Sequence, residues 1–227
     1  MGTADVDLVI GLALGDESPE TYRTLETNLK RSGFHQSGPS FRWSREVEGV
    51  SVIVEFLCET DHVDPGLIFR PKGEGTGSGL GAFNVRGAGL VSRDFFEQEL
   101  EGERLDGGGR SKVAVRVANL LPYVVLKILA FQDRHENKDA YDLVFCILNY
   151  GDGPEAAGTA AARSPVAEEP VANEALRLLA DRFDTTEHDG PIAYASFLAR
   201  PEDPEEWARL RREAAAAVRE FIGSFQS

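Results

Sequence analysis

Two strand-like runs, 41–47 and 50–57, are separated only by Glu48-Gly49. That connection reads as a tight turn, which makes the runs a hairpin. The second run is dense in β-branched residues (Val50, Val52, Ile53 and Val54), as a central strand is. Ahead of the hairpin lies a further strand candidate, 6–14, and then a punctuated helix. Ser18 suits its cap, Pro19 its first position and Gly33 its end; Tyr22, Leu25 and Leu29 form its apolar stripe. Lys30 and Arg31 sit where the helix dipole favours cations. The order β-α-β-β predicts an α/β (α+β) fold, a mixed sheet flanked by helices.

Further along, 61–81 loses periodicity and reads as a loop. Its glycine-rich part, Lys72-Gly73-Glu74-Gly75-Thr76-Gly77-Ser78-Gly79, matches neither a P-loop nor G-x-G-x-x-G, and a flap over a substrate is its functional alternative. Strands are expected at 83–91 and 112–117, a short helical turn at 94–100, and a turn at Asp106-Gly107-Gly108-Gly109. A helix of buried character spans 120–134, and Asn137 offers a cap for another at 138–148. Residues 151–170 lack a usable hydrophobic pattern and read as a flexible linker or insertion. The expected division is therefore a domain at 1–150, the linker, and a helical tail at 171–227 packed on that domain. The tail's last helix opens at Asp203-Pro204 and carries Trp207, Leu210, Ala214, Val218 and Phe221 on one stripe.

A net charge of −14 argues against a protein that coats nucleic acid, because phosphate binding needs clustered Lys and Arg. No apolar run is long enough to span a bilayer, and no signal-peptide pattern opens the chain. Cys58 and Cys146 each lie in apolar sequence without a metal-spaced partner, and read as buried free thiols of a cytoplasmic protein.

Three acids and a basic helix carry the chemistry. On a strand, Asp5 and Asp7 share a face about 7 Å apart, with Val6, Leu8 and Ile10 directed to a core. They are either a solvated strand start or ligands of a hard cation such as Mg²⁺. Glu55 interrupts the central strand and either marks its exposed end, pairs with a nearby Arg or serves as the third carboxylate. Three such acids can hold cations that clamp a triphosphate for in-line displacement. Lys127 interrupts an apolar helix and asks for an anion, either a triphosphate or Glu55. Arg134 follows seven residues later on the same face, and Lys138, Asp139 and Asp142 lie on the next helix. The alternative is a structural network in which Arg134 or Lys138 pairs with Asp139 or Asp142.

Three stretches together resemble the AbiEii/AbiGii branch of the minimal nucleotidyltransferase superfamily, known from toxin–antitoxin operons. They are Thr3-Ala4-Asp5-Val6-Asp7-Leu8; Phe41-Arg42-Trp43 with Val52-Ile53-Val54-Glu55-Phe56-Leu57; and Lys127-x-x-Ala130-x-x-x-Arg134-x-x-x-Lys138-Asp139-x-x-Asp142-Leu143. The resemblance covers residues 3 to 150. It implies Mg²⁺ on Asp5 and Asp7 with Glu55 as the third acid. Lys127, Arg134, Lys138 and Asp142 are then the nucleotide-binding set. The implied activity moves a nucleotide from an NTP to an acceptor, an RNA in some toxin-type relatives, with a cognate antitoxin as partner. Two features depart from the family pattern. The Gly-Ser signature expected before D-x-D is missing, since Met1 stands four residues before Asp5, and Glu55 stands where Asp is usual. Either the natural start lies upstream or the chain is a degenerate member. The rival expectations are accordingly a catalytically silent nucleotide- or partner-binding module and an antibiotic-modifying nucleotidyltransferase.

Overall fold

The computed structural model describes residues 5–9, 19–70, 79–104, 108–199 and 203–227. The expected Ser18 cap, the continuation of the first strand beyond Val9 and most of the glycine-rich stretch lie outside them. So does much of the turn at 106–109. The chain forms two compact units, Met1–Ser92 with Glu97–Val117, and Arg93–Phe96 with Ala118–Ser227.

The first unit is built on a mixed sheet of six strands. Strand β1 (Asp5–Val9) precedes helix α1 (Pro19–Arg31), followed by β2 (His35–Gln36), β3 (Arg42–Val47) and β4 (Val50–Cys58). Strands β5 (Ile68–Phe69) and β6 (Ala82–Asn84) complete the sheet. The order is β2-β3-β4-β6-β5, with β1 parallel to β4. The predicted hairpin is present: β3 and β4 are antiparallel, and the turn residues Glu48 and Gly49 have φ of 50° and 80°. Positive φ at both positions gives a turn whose twist matches that of the strands. Helix α1 ends as expected, with Gly33 at φ 80° just past its basic last turn.

One face of β3 and β4 supplies Trp43, Val54, Phe56 and Cys58 to a core shared with Leu80 and Ala82. Leu25 and Leu29 of α1, both partly buried, pack against it. Gly81 is needed at this junction, because a Cβ there would lie 2.4 Å from Ser40 Oγ. Buried Asn84 secures the loop before β5, accepting from Thr60 N and donating to the carbonyls of Thr60 and Val63.

Several expectations are corrected. Val6 and Leu8 share the register of Val54 and Phe56 but remain 47% and 41% exposed, so they are not core residues. The loop at 61–81 contains the short strand β5. The strand expected at 83–91 stops at Asn84 and gives way to a 3₁₀ turn at Ala88–Ser92, where Glu59 accepts from the amides of Gly87 and Gly89. The helical turn expected at 94–100 is instead a strand, β7 (Phe95–Glu103), paired with β8 (Arg110–Ala118) as a separate ribbon.

The second unit is helical. It comprises α2 (Leu120–Arg134), α3 (Asn137–Asn149), α4 (Pro154–Ala162), α5 (Pro170–Phe183), α6 (Asp189–Leu198) and α7 (Pro204–Phe225). Its core includes Val124, Ile128, Leu143, Ile147, Leu179, Phe183 and Phe221. The expected boundary near residue 150 moves, since α2 and α3 belong with the later helices. The expected linker is helix α4, whose buried residues are Ala157, Gly158 and Ala161. Small residues give little hydrophobic contrast, yet they let helices approach closely: a Cβ on Gly158 would stand 2.3 Å from the Phe221 carbonyl of α7. Asn137 is the first residue of α3 rather than its cap, which is Glu136. Helix α7 does start as predicted, with the Asp203 side chain accepting from Glu206 N at 2.9 Å.

Asp94 fastens the foot of the ribbon inside this unit. Its carboxylate accepts from Asn119 Nδ2 at 2.6 Å and from Ser164 Oγ, while its carbonyl accepts from Asn119 N. Among the described residues no helix is long and apolar enough to cross a membrane.

Candidate functional site

The sheet unit aligns the predicted acids through strand register. Asp7 lies opposite Glu55 in the parallel β1–β4 pair, and Asp5 lies opposite Ile53. Parallel neighbours point the same way, so Asp7 and Glu55 stand side by side on strands about 4.8 Å apart. Their face is the one opposite Val54 and Phe56, away from α1. On the other side of β4, Arg42 of β3 is directly opposite Glu55.

Arg42 engages that acid, both Nε and a terminal nitrogen reaching the same oxygen, Oε1. Of the three readings of Glu55, pairing with a nearby arginine is what the structure contains. Arg42 is the residue that sequence reasoning underused. A two-residue turn at 48–49 sets Val47 opposite Val50, and counting back along the hairpin puts Arg42 opposite Glu55.

Among the described residues no group of three or more His, Cys, Asp or Glu is arranged to hold a metal ion. The donor chemistry of Asp7 and Glu55 nevertheless fits magnesium, which takes one or two carboxylates and completes its shell with water and substrate phosphate.

The helical unit holds the second set. Lys127 Nζ is 2.7 Å from Asp142 Oδ2 and 3.5 Å from Asp139 Oδ1. Arg134 grips Asp139 with two prongs, Nε to Oδ2 and a terminal nitrogen to Oδ1, both at 2.7 Å. Lys138 adds a contact of 2.8 Å to Asp142. The elements explain the convergence. Lys127 and Arg134 are two turns apart on α2, while Lys138, Asp139 and Asp142 lie on the first turns of α3. His135, at φ 54°, reverses the chain between them.

The expected structural network is thus present, and Lys127 belongs to it. The anion Lys127 meets is Asp142 with Asp139, whereas Glu55 takes Arg42. Asp139 is only 1% exposed and is the centre of the network, though it was not among the predicted site residues. Its place three residues before Asp142 was the available signal. Lys127, Arg134 and Lys138 thus share the two carboxylates of Asp139 and Asp142.

Burial pushes the Asp142 carboxyl up, but the hydrogen bonds and charges of Lys127 and Lys138 outweigh it and hold the group below its ordinary value. Tyr123 was missed as well. It lies one helical turn before Lys127, whose ammonium sits 5.8 Å from the ring centroid. Burial, then the charges of Cys146 and Asp142, push its phenol up. Burial likewise raises the Cys146 thiol, and burial followed by Glu59 raises Cys58 to about 11. Both cysteines are free, Cys58 buried and Cys146 half-buried.

Compared with family models, curated proteins and solved structures, the chain matches none.

The predicted residues therefore fall into two groups, Asp5, Asp7 and Glu55 on the sheet and Lys127, Arg134, Lys138 and Asp142 on the helices. The first lies along one face of neighbouring strands, with Arg42 engaging Glu55. The second is a lattice of charges at the junction of α2 and α3.

Proposed function

We propose that the chain is a magnesium-dependent nucleotidyltransferase of the AbiEii/AbiGii type, working in the cytoplasm. The observation that carries this reading is the register of Asp7 beside Glu55, with Asp5 two residues away on the same strand. Bound there, the divalent cation supplies charge neutralisation for the triphosphate and the attacking oxygen. Asp5 and Asp7 hold it. Glu55 orients the acceptor hydroxyl and takes its proton as the oxygen bonds to the α-phosphorus and pyrophosphate leaves. By the resemblance, Lys127, Arg134, Lys138 and Asp142 are the nucleotide-binding set, and within the helical unit Asp142 holds both lysines in position. The acceptor is proposed to be an RNA, and a cognate antitoxin the protein partner, both by resemblance.

Incubation of the full chain with labelled NTPs, Mg²⁺ and total RNA tests the activity. Label should pass to RNA, and Asp7→Asn should lower transfer by at least about 100-fold while leaving the circular dichroism unchanged. Equal turnover by the variant would remove the metal assignment.

One observation favours the catalytically silent module: Arg42 already occupies Glu55. Thermal stability separates the readings. An active site gains stability with Mg²⁺ and its preferred NTP, by RT ln(1 + [L]/Kd), whereas no shift with any of the four NTPs favours the silent module.

A further inference from the structure

Arg42, Glu55 and Asp7 form a row across three neighbouring strands. Arg42 of β3 and Asp7 of β1 each lie opposite Glu55 of β4. Residues paired in register share a face, so the three side chains leave the sheet on the same side. The backbone of Arg42 is fixed: its amide donates to the Pro39 carbonyl at 2.9 Å, and the neighbouring Phe41 carbonyl accepts from Phe56 N. Its side chain is not enclosed, being 44% exposed against 19% for Glu55.

The grip of Arg42 differs from that of Arg134. Arg134 takes one oxygen of Asp139 with each prong, the arrangement in which a guanidinium holds a carboxylate fastest. Arg42 brings Nε and a terminal nitrogen to a single oxygen, Oε1. A half-exposed pair of this kind is screened by water and easily broken. A hard divalent cation seeks the same carboxylate oxygens, and like charges at neighbouring positions repel. Arg42 and such a cation are therefore rivals for Glu55. A guanidinium that leaves Glu55 needs another anion, and its planar fork fits phosphate as well as carboxylate.

We infer that Arg42 is an exchangeable counter-ion, which holds Glu55 until a divalent cation and a nucleotide bind together and then passes to the triphosphate. The inference rests on the reading of Asp5, Asp7 and Glu55 as a magnesium site. It adds to that site a phosphate-binding residue which the resemblance does not assign, and it makes the occupied Glu55 a resting arrangement rather than a lost one. One charge then has two opposite effects. Without nucleotide Arg42 opposes cation binding, and with nucleotide it favours the complex. A cross-strand pair that only braced the hairpin would do neither.

Two binding measurements on the full chain test the inference: Mn²⁺ alone, followed by electron paramagnetic resonance, and non-hydrolysable analogues of the four NTPs with Mg²⁺, followed by calorimetry. Arg42→Gln should bind Mn²⁺ at least about threefold more tightly than the parent, and the tightest-binding analogue at least about tenfold more weakly. Arg42→Lys keeps the charge without the fork, so it should bind Mn²⁺ within about twofold of the parent and the analogue with intermediate affinity. In the parent itself, the Nε–H resonance of Arg42 should shift when Mg²⁺ and that analogue are added, a readout that needs no variant to fold. Unchanged affinities in Arg42→Gln, or two affinities moving in the same direction, overturn the inference, as does an unmoved Arg42 resonance at saturation. Asp7→Asn keeps that failure apart from failure of the magnesium site. Mn²⁺ binding by the parent and its loss in Asp7→Asn uphold the site whatever Arg42 does. No Mn²⁺ binding by either the parent or Arg42→Gln removes the site and the inference with it.

Discussion

The strand-borne acids and the helix-borne network solve the same problem in different ways. Glu55 meets its charge with one arginine across a hairpin, beside Asp7 on the neighbouring strand. Asp139 and Asp142 are enclosed by three cations at a helix junction, with Asp139 almost wholly out of water. Exposed ion pairs contribute little to stability because water screens them and side-chain entropy opposes them. Breaking an enclosed pair leaves a charge without solvent, which is far more costly. The helical network should thus be mainly a stability element that can also bind anions, and the strand row mainly a chemical element that the fold hardly needs.

The sharpest way to break this contrast is Lys127→Met, which leaves Asp142 and Asp139 under-neutralised. It should destabilise the helical unit by about 3 kcal/mol or more, read from a urea melt. Loss of under about 1 kcal/mol would place the network with ordinary surface pairs.

Acid probes the same network next. Because the Asp142 carboxyl is depressed in the folded protein, its contribution is present above the ordinary carboxylate range and is lost as pH falls through the depressed value. The stability difference between the parent and Asp142→Asn should therefore be full above about pH 5 and close as the pH drops below about 4. A difference that widens in acid would reverse the sign assigned here.

A smaller change is expected at the hairpin turn. Glu48 adopts a left-handed conformation unfavourable for a residue with a Cβ, so Glu48→Asn should stabilise the sheet unit by about 0.5–1 kcal/mol, seen as a raised melting temperature. The smallest is Glu55→Gln, which should cost about 0.5 kcal/mol or less in stability while lowering nucleotidyl transfer severely. That split between stability and activity is what the strand row should show and Lys127→Met should not.

Much of the sheet unit was legible because its signals are local. The Glu48-Gly49 turn, the Pro19 start and Gly33 end of α1, and the β-branched run of β4 depend on backbone preferences that each residue carries with it. Helix α4 was not legible, since it buries Ala157, Gly158 and Ala161, which have no apolar contrast with their neighbours. The ribbon was misjudged because its strand β7 is almost entirely exposed and rich in glutamate, whose propensity favours helix. Cross-strand cations, far off in sequence, are what settle it as a strand. The partition of site residues between two units was invisible for a related reason: it follows from where the chain crosses between them, at the ribbon. Pairing across the hairpin was within reach, because the turn length alone places Arg42 opposite Glu55.

The Asp94 clasp has a consequence in time rather than in space. Asp94 leaves the ribosome 70 residues ahead of Ser164, which donates to its carboxylate. At about 5–20 residues per second that is a wait of roughly 4–14 s, over which α2 and α3 are synthesised while Asn119 alone holds Asp94. A nascent chain halted before Ser164 would hold the foot of the ribbon through Asn119 alone, without the hydroxyl that completes the clasp.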